Sequence, residues 1–367
     1  MVHLAAEKLS VEEKVGQLFF VGIPGPEIDS GTAELLETVR PGGVCLFARN
    51  IKGAEQTRSL LEGIIHSSPI IPFLSLDQEG GRVDRLRRLL APMPAASQLR
   101  NPEDAAELGS IIGEAISVLG FNMDFAPVVD VISPERADHI NGLQTRGFGR
   151  SKNEVVTMAG AFIDSLSQHG VLGCLKHFPG LAASTLDSHE ELPVVPVDEV
   201  EMCQTDLHPF RALIDHDVIA VMVAHAVYPN AGLHEATRDG NLLPSSLDPK
   251  IVTTLLRDDL KFKGVAITDD MEMGAIVKHF GIGEAAKLAI KAGEDMIAIC
   301  ASENAIYEGF RAVSKSVASG EISEDRLNKS VQRIFELKGR ISKTPAFDPA
   351  RLSIVNERIQ KLNEHLN

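Results

Sequence analysis

Titratable residues cluster between positions 176 and 189 of the chain. Lys176 and His177 follow an apolar run, and Asp187 and His189 stand two positions apart beyond a loop. Side chains at positions i and i+2 of an extended segment point the same way, so this carboxylate can contact this imidazole. A neighbouring carboxylate favours the charged imidazole and fixes its tautomer, which suits a general acid/base near neutral pH. The alternative is a solvated ion pair, because Asp–His pairs are common on surfaces.

The loop inside this cluster, Gly180 to Thr185, carries mainly small or apolar residues. Such a loop has few side chains to pack and few internal hydrogen bonds. We therefore expect it to be poorly ordered or displaced without a ligand, and to close over bound ligand.

Three motifs follow one another along the chain: DQEGGR at 77–82, KHFPG at 176–180 with DSH at 187–189, and ITDDMEMGA at 267–275. Together they resemble the β-N-acetylglucosaminidase branch of the family 3 glycoside hydrolases, from about Leu9 to Lys338. The chain departs from that family in the loop, where a polar GHGDT-like run is usual after KHFP and GLAAST stands here.

This resemblance implies retaining hydrolysis of a terminal β-linked N-acetylglucosamine through a covalent glycosyl-enzyme, without a cofactor. Asp269 matches the nucleophile, and His189 matches the acid/base with Asp187 as its partner. The sugar-binding positions match Asp77, Arg146, Lys176 and His177, whose carboxylate oxygens and N–H groups suit sugar hydroxyls. For Asp77 an internal ion pair with Arg82 or Arg85 is the alternative, and for Lys176 a salt bridge to a neighbouring acid. No HExxH or first-strand HxH pair indicates a metal site.

Further polar residues have expectations of their own. Consecutive side chains of a strand diverge, so only one of Asp269 and Asp270 should face the site, with Asp270 capping a helix or fixing a loop. His225 lines the site or is a hydrogen-bonded core residue. Asp130 is expected to hold Arg146 or Lys176 in place. Glu79, with its two following glycines, is expected to shape a turn.

Eight short apolar runs, most of them followed by a helical pattern, predict the elements that position these side chains. They are the end of Val15–Ile23, then Val44–Ala48, Ile71–Leu76, Phe121–Val129, Val171–Leu175, Val218–Ala224, Gly264–Thr268 and Met296–Ile299. Strands that are apolar throughout fit a parallel sheet covered on both faces. We predict an α/β fold, a single (β/α)8 TIM-type barrel with additional C-terminal helices, with the active site at the strands' C-terminal ends. The catalytic domain is expected to span 1–338, and a helical extension packed on the barrel 339–367. A doubly wound open sheet is the alternative, but no GxGxxG follows the first strand.

Composition limits the kinds of binding partner and the cellular compartment that we expect for this chain. The formal net charge of −15 argues against nucleic-acid binding. No basic and apolar signal-like segment opens the chain, and no run approaches the ~20 apolar residues of a membrane span. Cys45, Cys174 and Cys300 fall in predicted strands, which indicates buried free thiols in a reducing, cytoplasmic setting.

We accordingly expect an N-acetylglucosamine-containing saccharide as substrate, and the family points to cell-wall muropeptides. Two alternatives stay open. One is a phosphorylase on the same scaffold, since an uncharged histidine would admit phosphate. The other is a sugar-binding protein that has lost catalysis.

Overall fold

A computed structural model describes residues 8–139, 141–188, 191–216, 218–234 and 242–367 of the chain. Its centre is one nine-stranded parallel sheet in the order β5-β4-β3-β2-β1-β9-β8-β7-β6. The strands are β1 Phe19–Gly22, β2 Gly43–Cys45, β3 Phe73–Leu76, β4 Met123–Asp124, β5 Leu172–Gly173, β6 Leu175–Phe178, β7 Ala220–Val223, β8 Val265–Asp270 and β9 Met296–Ile299.

Helices surround this sheet. They are α1 Val11–Gln17, α2 Ser30–Val39, α3 Ala54–His66, α4 Pro102–Leu119, α5 Lys152–Ser167, α6 Glu199–Glu201, α7 Leu207–Ile214, α8 Gly274–Val277, α9 Ile282–Ala292, α10 Glu303–Ala318, α11 Glu324–Lys338 and α12 Pro349–Leu366. Two further segments, Met202–Asp206 and Lys250–Asp259, are π-helical.

The two outermost strands of the sheet belong to one pass of the chain. Only Cys174 separates β5, which pairs with β4, from β6, which pairs with β7. Backbone bonds from Lys176 N to Pro127 O (3.2 Å) and from Val129 N to Lys176 O (2.8 Å) continue the pairing across the junction. The sheet therefore closes on itself, and the predicted (β/α)8 barrel is confirmed.

Local sequence signals set several element boundaries. Ser10 and Glu13 form the reciprocal capping box that starts α1. Pro102 opens α4 and Gly120 ends it in a left-handed conformation. The strands are buried except for the last two residues of β8, and Phe20 packs against Phe73 and Phe125 inside the barrel.

The last two helices take different places on the barrel. Helix α11 lies across the strands' N-terminal ends, where Arg333 bonds Asp295 just before β9. Helix α12 packs on the barrel's side against α4, with its Arg358 paired to Glu107 and Glu114.

Three of the four cysteines, Cys45, Cys174 and Cys300, are buried free thiols as predicted, and Cys203 is exposed. In the part of the chain that the structure describes, no helix combines the length and apolarity required to cross a membrane.

Candidate active site

A cavity of about 430 Å³ opens at the C-terminal ends of the strands. Asp77 reaches it from the end of β3, Lys176 and His177 from β6, and Asp269 from the end of β8. Arg146 and Asp187 reach it from loops, so it gathers every predicted site residue that lies in the described ranges. His189, the predicted acid/base, lies outside the described residues.

Lys176 is the centre of the charged network in this cavity. Its side chain is only 2% exposed, and its Nζ donates to Asp77 Oδ1 at 2.8 Å and lies 2.6 Å from Glu79 Oε1. Burial disfavours the ammonium, but the two carboxylates outweigh burial and raise the pKa of Lys176 above its usual value. Lys176 is therefore held as a cation, and its predicted salt bridge coexists with a place at the cavity.

Glu79 is a member of the charged network in the cavity, whereas the sequence analysis predicted only that it shapes a turn. Arg146 donates to it twice, from Nε to Oε2 at 2.8 Å and from Nη2 to Oε1 at 2.9 Å. Burial would raise the pKa of Glu79, but Arg146 and Lys176 lower it to about 2. The sequence contained a signal for this role, because Glu79 lies two positions after Asp77. Side chains two positions apart in an extended segment point the same way.

The turn after Glu79 does need its glycines. Gly80 and Gly81 have φ of +86° and +59°, and a Cβ on Gly80 would lie 2.3 Å from the Pro94 carbonyl oxygen. An L side chain is excluded there by both space and conformation. The expectation that these glycines are a backbone requirement is confirmed.

Asp77 has two cationic partners. Besides Lys176, Arg85 Nη2 lies 3.3 Å from its Oδ2, so the predicted internal ion pair forms with Arg85. Burial would raise the pKa of Asp77, yet these cations hold it below its usual value. The carboxylate stays charged and keeps access to the cavity, with its side chain 19% exposed.

Asp130 bonds His177 directly, and it acts on Arg146 only through its charge. Its Oδ2 accepts from His177 Nδ1 at 2.8 Å and from the His177 backbone N–H, and its Oδ1 accepts from Leu181 N. The physical reason is position: Asp130 follows the strand that pairs with the 172–178 pass, so its carboxylate meets that backbone. A carboxylate only accepts, so Nδ1 carries the proton and Nε2 faces Arg146 Nη2 at 3.4 Å.

A β-bulge brings both acids of the TDD sequence to the cavity. Ile267 pairs with Met296 and Asp270 with Ala298, so β8 holds one extra residue against β9. Asp269 and Asp270 therefore both line the cavity, which corrects the expectation that only one would. Asp269 Oδ1 accepts from the Asp270 backbone N–H at 2.8 Å, which fixes the carboxylate's orientation.

Asp270 also fixes the following loop, as expected, because its Oδ1 accepts from Glu272 N at 3.1 Å. Burial, together with the charges of Glu272 and Asp269, raises the pKa of Asp270 to about 7. At neutral pH this acid is therefore partly protonated, in contrast to Asp77.

His225 is the hydrogen-bonded core residue that the sequence allowed. It is fully buried, and its Nε2 lies 3.2 Å from the Asp270 carbonyl oxygen, which only accepts. Its Nδ1 therefore accepts from Ser246 Oγ at 2.7 Å. Burial lowers the pKa of His225, so a neutral ring positions the end of β8 behind the two acids.

The loop after Gly180 is held by hydrogen bonds from residues outside it, which the sequence analysis did not predict. Asn141 Nδ2 donates to the carbonyls of Ala182 and Ser184, both at 2.9 Å, and Tyr228 donates to the Gly180 carbonyl at 3.0 Å. Small side chains leave these backbone carbonyls within reach of long polar side chains from other elements. Further along, Ser188 O accepts from Ala275 N at 3.3 Å, which ties the loop to α8.

Comparison with known proteins agrees with this geometry. Residues 10–337 match the Glycosyl hydrolase family 3 N terminal domain. Beta-hexosaminidase A of Pseudoalteromonas piscicida is 31% identical over 86% of this chain and 56% of its own length. Beta-hexosaminidase of Psychromonas ingrahamii is 33% identical over 76% of this chain and 81% of its own. The chain thus spans just over half of the first relative and most of the second.

A solved structure is similar along nearly the whole chain. The family 3 β-N-acetylglucosaminidase from Paenibacillus sp. superimposes with a TM-score of 0.85 at 31% identity, covering 96% of this chain and 69% of that one. The barrel fold is shared over this alignment.

Proposed function

The chain belongs to glycosyl hydrolase family 3, and on that premise we propose that it is a retaining β-N-acetylhexosaminidase that releases terminal β-linked N-acetylglucosamine. The observation that carries the proposal is the pairing of two features in one cavity. An oriented carboxylate, Asp269, faces the same space as the charged set Asp77, Arg146, Lys176 and His177.

Asp269 is the proposed nucleophile. One of its oxygens is bound by a backbone N–H, which leaves carboxylate lone pairs for the anomeric carbon. Its attack forms a bond to that carbon as the glycosidic C–O bond breaks, giving a covalent glycosyl-enzyme. Water then releases the sugar, and two inversions leave the anomeric configuration retained.

His189 is the proposed acid/base, with Asp187 as its partner. Asp187 and Ser188 both line the cavity, and the bond between Ala275 N and Ser188 O holds this segment beside α8, directly after the TDD strand. That placement supports a histidine at the next position reaching the glycosidic oxygen. It would protonate the leaving group and later take a proton from water.

The charged network is the proposed sugar holder. Asp77 can accept hydroxyl protons, while Lys176 and Arg146 donate to hydroxyl oxygens. The ion pairs among these residues fix their positions before substrate arrives, which lowers the cost of ordering them on binding.

We further propose that the natural substrates are cell-wall muropeptides turned over in the cytoplasm. Arg82 and Arg85 line the cavity, and Arg49 lies 4.6 Å over the ring of the lining residue Phe47. Such a cationic rim suits the carboxylates that muropeptides carry next to the cleaved bond. The buried free thiols support a reducing compartment.

One assay tests the proposed activity. A panel of aryl β-glycosides is incubated with the protein, with and without phosphate, and the sugar products are identified. We expect free N-acetylglucosamine from the N-acetylglucosaminide, at a rate that phosphate does not change. Sugar 1-phosphate would instead indicate a phosphorylase, and binding without turnover would indicate a sugar-binding protein.

A further inference from the structure

A groove lies on the opposite face of the barrel, at the strands' N-terminal ends. Two adjoining cavities of about 550 and 430 Å³ form it, between the loop Leu260–Gly264 that leads into β8 and helix α11. Among the described residues, six cationic and three acidic side chains line these cavities, although the whole chain has a formal net charge of −15. Positive charge is thus concentrated here on an acidic protein, which favours anionic ligands.

Buried charge next to this groove is not balanced. Asp295 is the common partner of three guanidinium groups, with Arg257 at 2.5 Å, Arg333 at 3.0 Å and Arg326 at 3.8 Å. The adjacent Glu294 forms no hydrogen bond to these guanidinium groups, because both of its buried carboxylate oxygens lack a partner among the described residues. Burial raises the pKa of Glu294 well above its usual value, which favours its neutral form. The cluster therefore carries excess positive charge.

Arg257 also has an unused donor. Its side chain is 9% exposed and lines the groove, and its terminal nitrogens donate to Asp295 and to the carbonyls of Phe262 and Gly264. Its Nε, however, is buried without a partner within the described part of the chain. A buried donor without a partner is unfavourable, so an acceptor that reached it would be bound favourably.

Lys261, at the edge of the groove, has a backbone conformation that is unfavourable for a lysine. Its φ is +57°, the left-handed value where glycine is the usual residue after a helix end. Its side chain and that of Lys263 are exposed, and both line the two cavities. The charges of both lysines are therefore available to a ligand in the groove.

We propose that this groove binds a small multiply charged oxyanion of the phosphate class, held by Arg257, Arg333, Lys261 and Lys263. Guanidinium groups match the paired oxygens of a phosphate, and lysines add point charge. Gly264 and Asp269 lie five positions apart along β8, about 17 Å at 3.3–3.4 Å per residue. The groove is therefore separate from the sugar cavity, and binding there does not depend on the proposed glycosidase activity.

The test is titration of the full chain with pyrophosphate, by calorimetry and by thermal unfolding, against potassium chloride of equal ionic strength. We expect pyrophosphate alone to raise the unfolding temperature. The double variant Lys261→Gly/Lys263→Ala should bind it at least tenfold more weakly. Lys261→Gly by itself should unfold at a higher temperature without ligand, because it removes the left-handed strain.

Arg40→Gly is the matched control, because Arg40 also has a left-handed φ, of +51°, but lies outside this groove. It should leave pyrophosphate affinity unchanged. Parallel titrations with phosphate and with ADP show whether the natural ligand is an inorganic phosphate or an organic one. The class of ligand that binds more tightly identifies it. Equal stabilisation by potassium chloride, or unchanged affinity in the double variant, would overturn the proposal.

Discussion

The two sides of the sugar cavity differ in how their charges are balanced. On the β3–β6 side, Lys176 and Arg146 compensate Asp77 and Glu79, and the pKa of each carboxyl is lowered. On the β8 side, Asp269 and Asp270 stand together without an ion pair to any described cation, and the pKa of Asp270 is raised to about 7.

This difference matches two tasks. A holding site benefits from charges that are already paired and fixed, because little remains to be ordered when sugar binds. Uncompensated carboxylates serve the chemistry instead, because positive charge develops on the sugar ring in the transition state. Changing residues on either side should therefore produce different kinds of defect.

The largest expected effect is on the uncompensated side. Asp269→Ala should reduce turnover of an aryl N-acetylglucosaminide by at least about 10⁴-fold, because the covalent route is lost. Folding and sugar affinity should change little, as checked by circular dichroism and by calorimetric titration with N-acetylglucosamine. Activity within about tenfold of the wild type would remove Asp269 from the nucleophile's role.

Next in size is a defect in stability on the compensated side. Lys176→Met leaves Asp77 and Glu79 as buried carboxylates with fewer cations, and should lower the free energy of unfolding by about 3–5 kcal/mol in urea titrations. A loss below about 1 kcal/mol would mean that the network is not balanced as described.

The loop between the two sides gives a prediction about leaving groups. His189→Ala should slow hydrolysis of a disaccharide about 100-fold more than that of a dinitrophenyl glycoside, because only the basic leaving oxygen needs protonation. Asp187→Ala should show a milder form of this pattern. Equal slowing of both substrates would argue that His189 is not the acid.

A smaller effect concerns the pH dependence of stability. Folded Asp270 keeps its proton up to about pH 7, whereas its unfolded value is near 3.8. The folded state therefore holds the extra proton between these values, and this group's contribution to the free energy of unfolding falls as pH rises through the window. Asp270→Asn lacks this pH-dependent loss, so its stability relative to the wild type should improve by about 4 kcal/mol between pH 4 and 8. If urea titrations gave the same difference in free energy of unfolding between variant and wild type at every pH in this range, the raised pKa would be contradicted.

Sequence patterns predicted the barrel because its strands are apolar on both faces and its motifs follow them. They placed Asp77, Lys176 and Asp269 at one mouth for the same reason. They did not predict the shared position of Asp269 and Asp270, because a bulge arises from the pairing of β8 with β9. Nor did they predict the held loop, since Asn141 pins it from 41 positions away along the chain.

The β3–β6 network was predicted only in part. The charged residue types were evident, but which carboxylate meets which cation depends on side-chain geometry across strands. Asp130 shows this, because it bonds His177 and the backbone beside it and not the cations it was expected to hold. Local patterns can identify the members of such a network, whereas its pairing requires the fold.

The central claim is that the uncompensated side supplies the nucleophile and the compensated side only holds the sugar. The most direct measurement is to trap the glycosyl-enzyme with a 5-fluoro N-acetylglucosaminyl fluoride and to locate the label by peptide fragmentation in a mass spectrometer. We predict one fluorinated sugar per chain, attached to Asp269. A label on Asp270 or Glu79, or turnover of an aryl glycoside with no covalent species formed by the trap, would contradict the account.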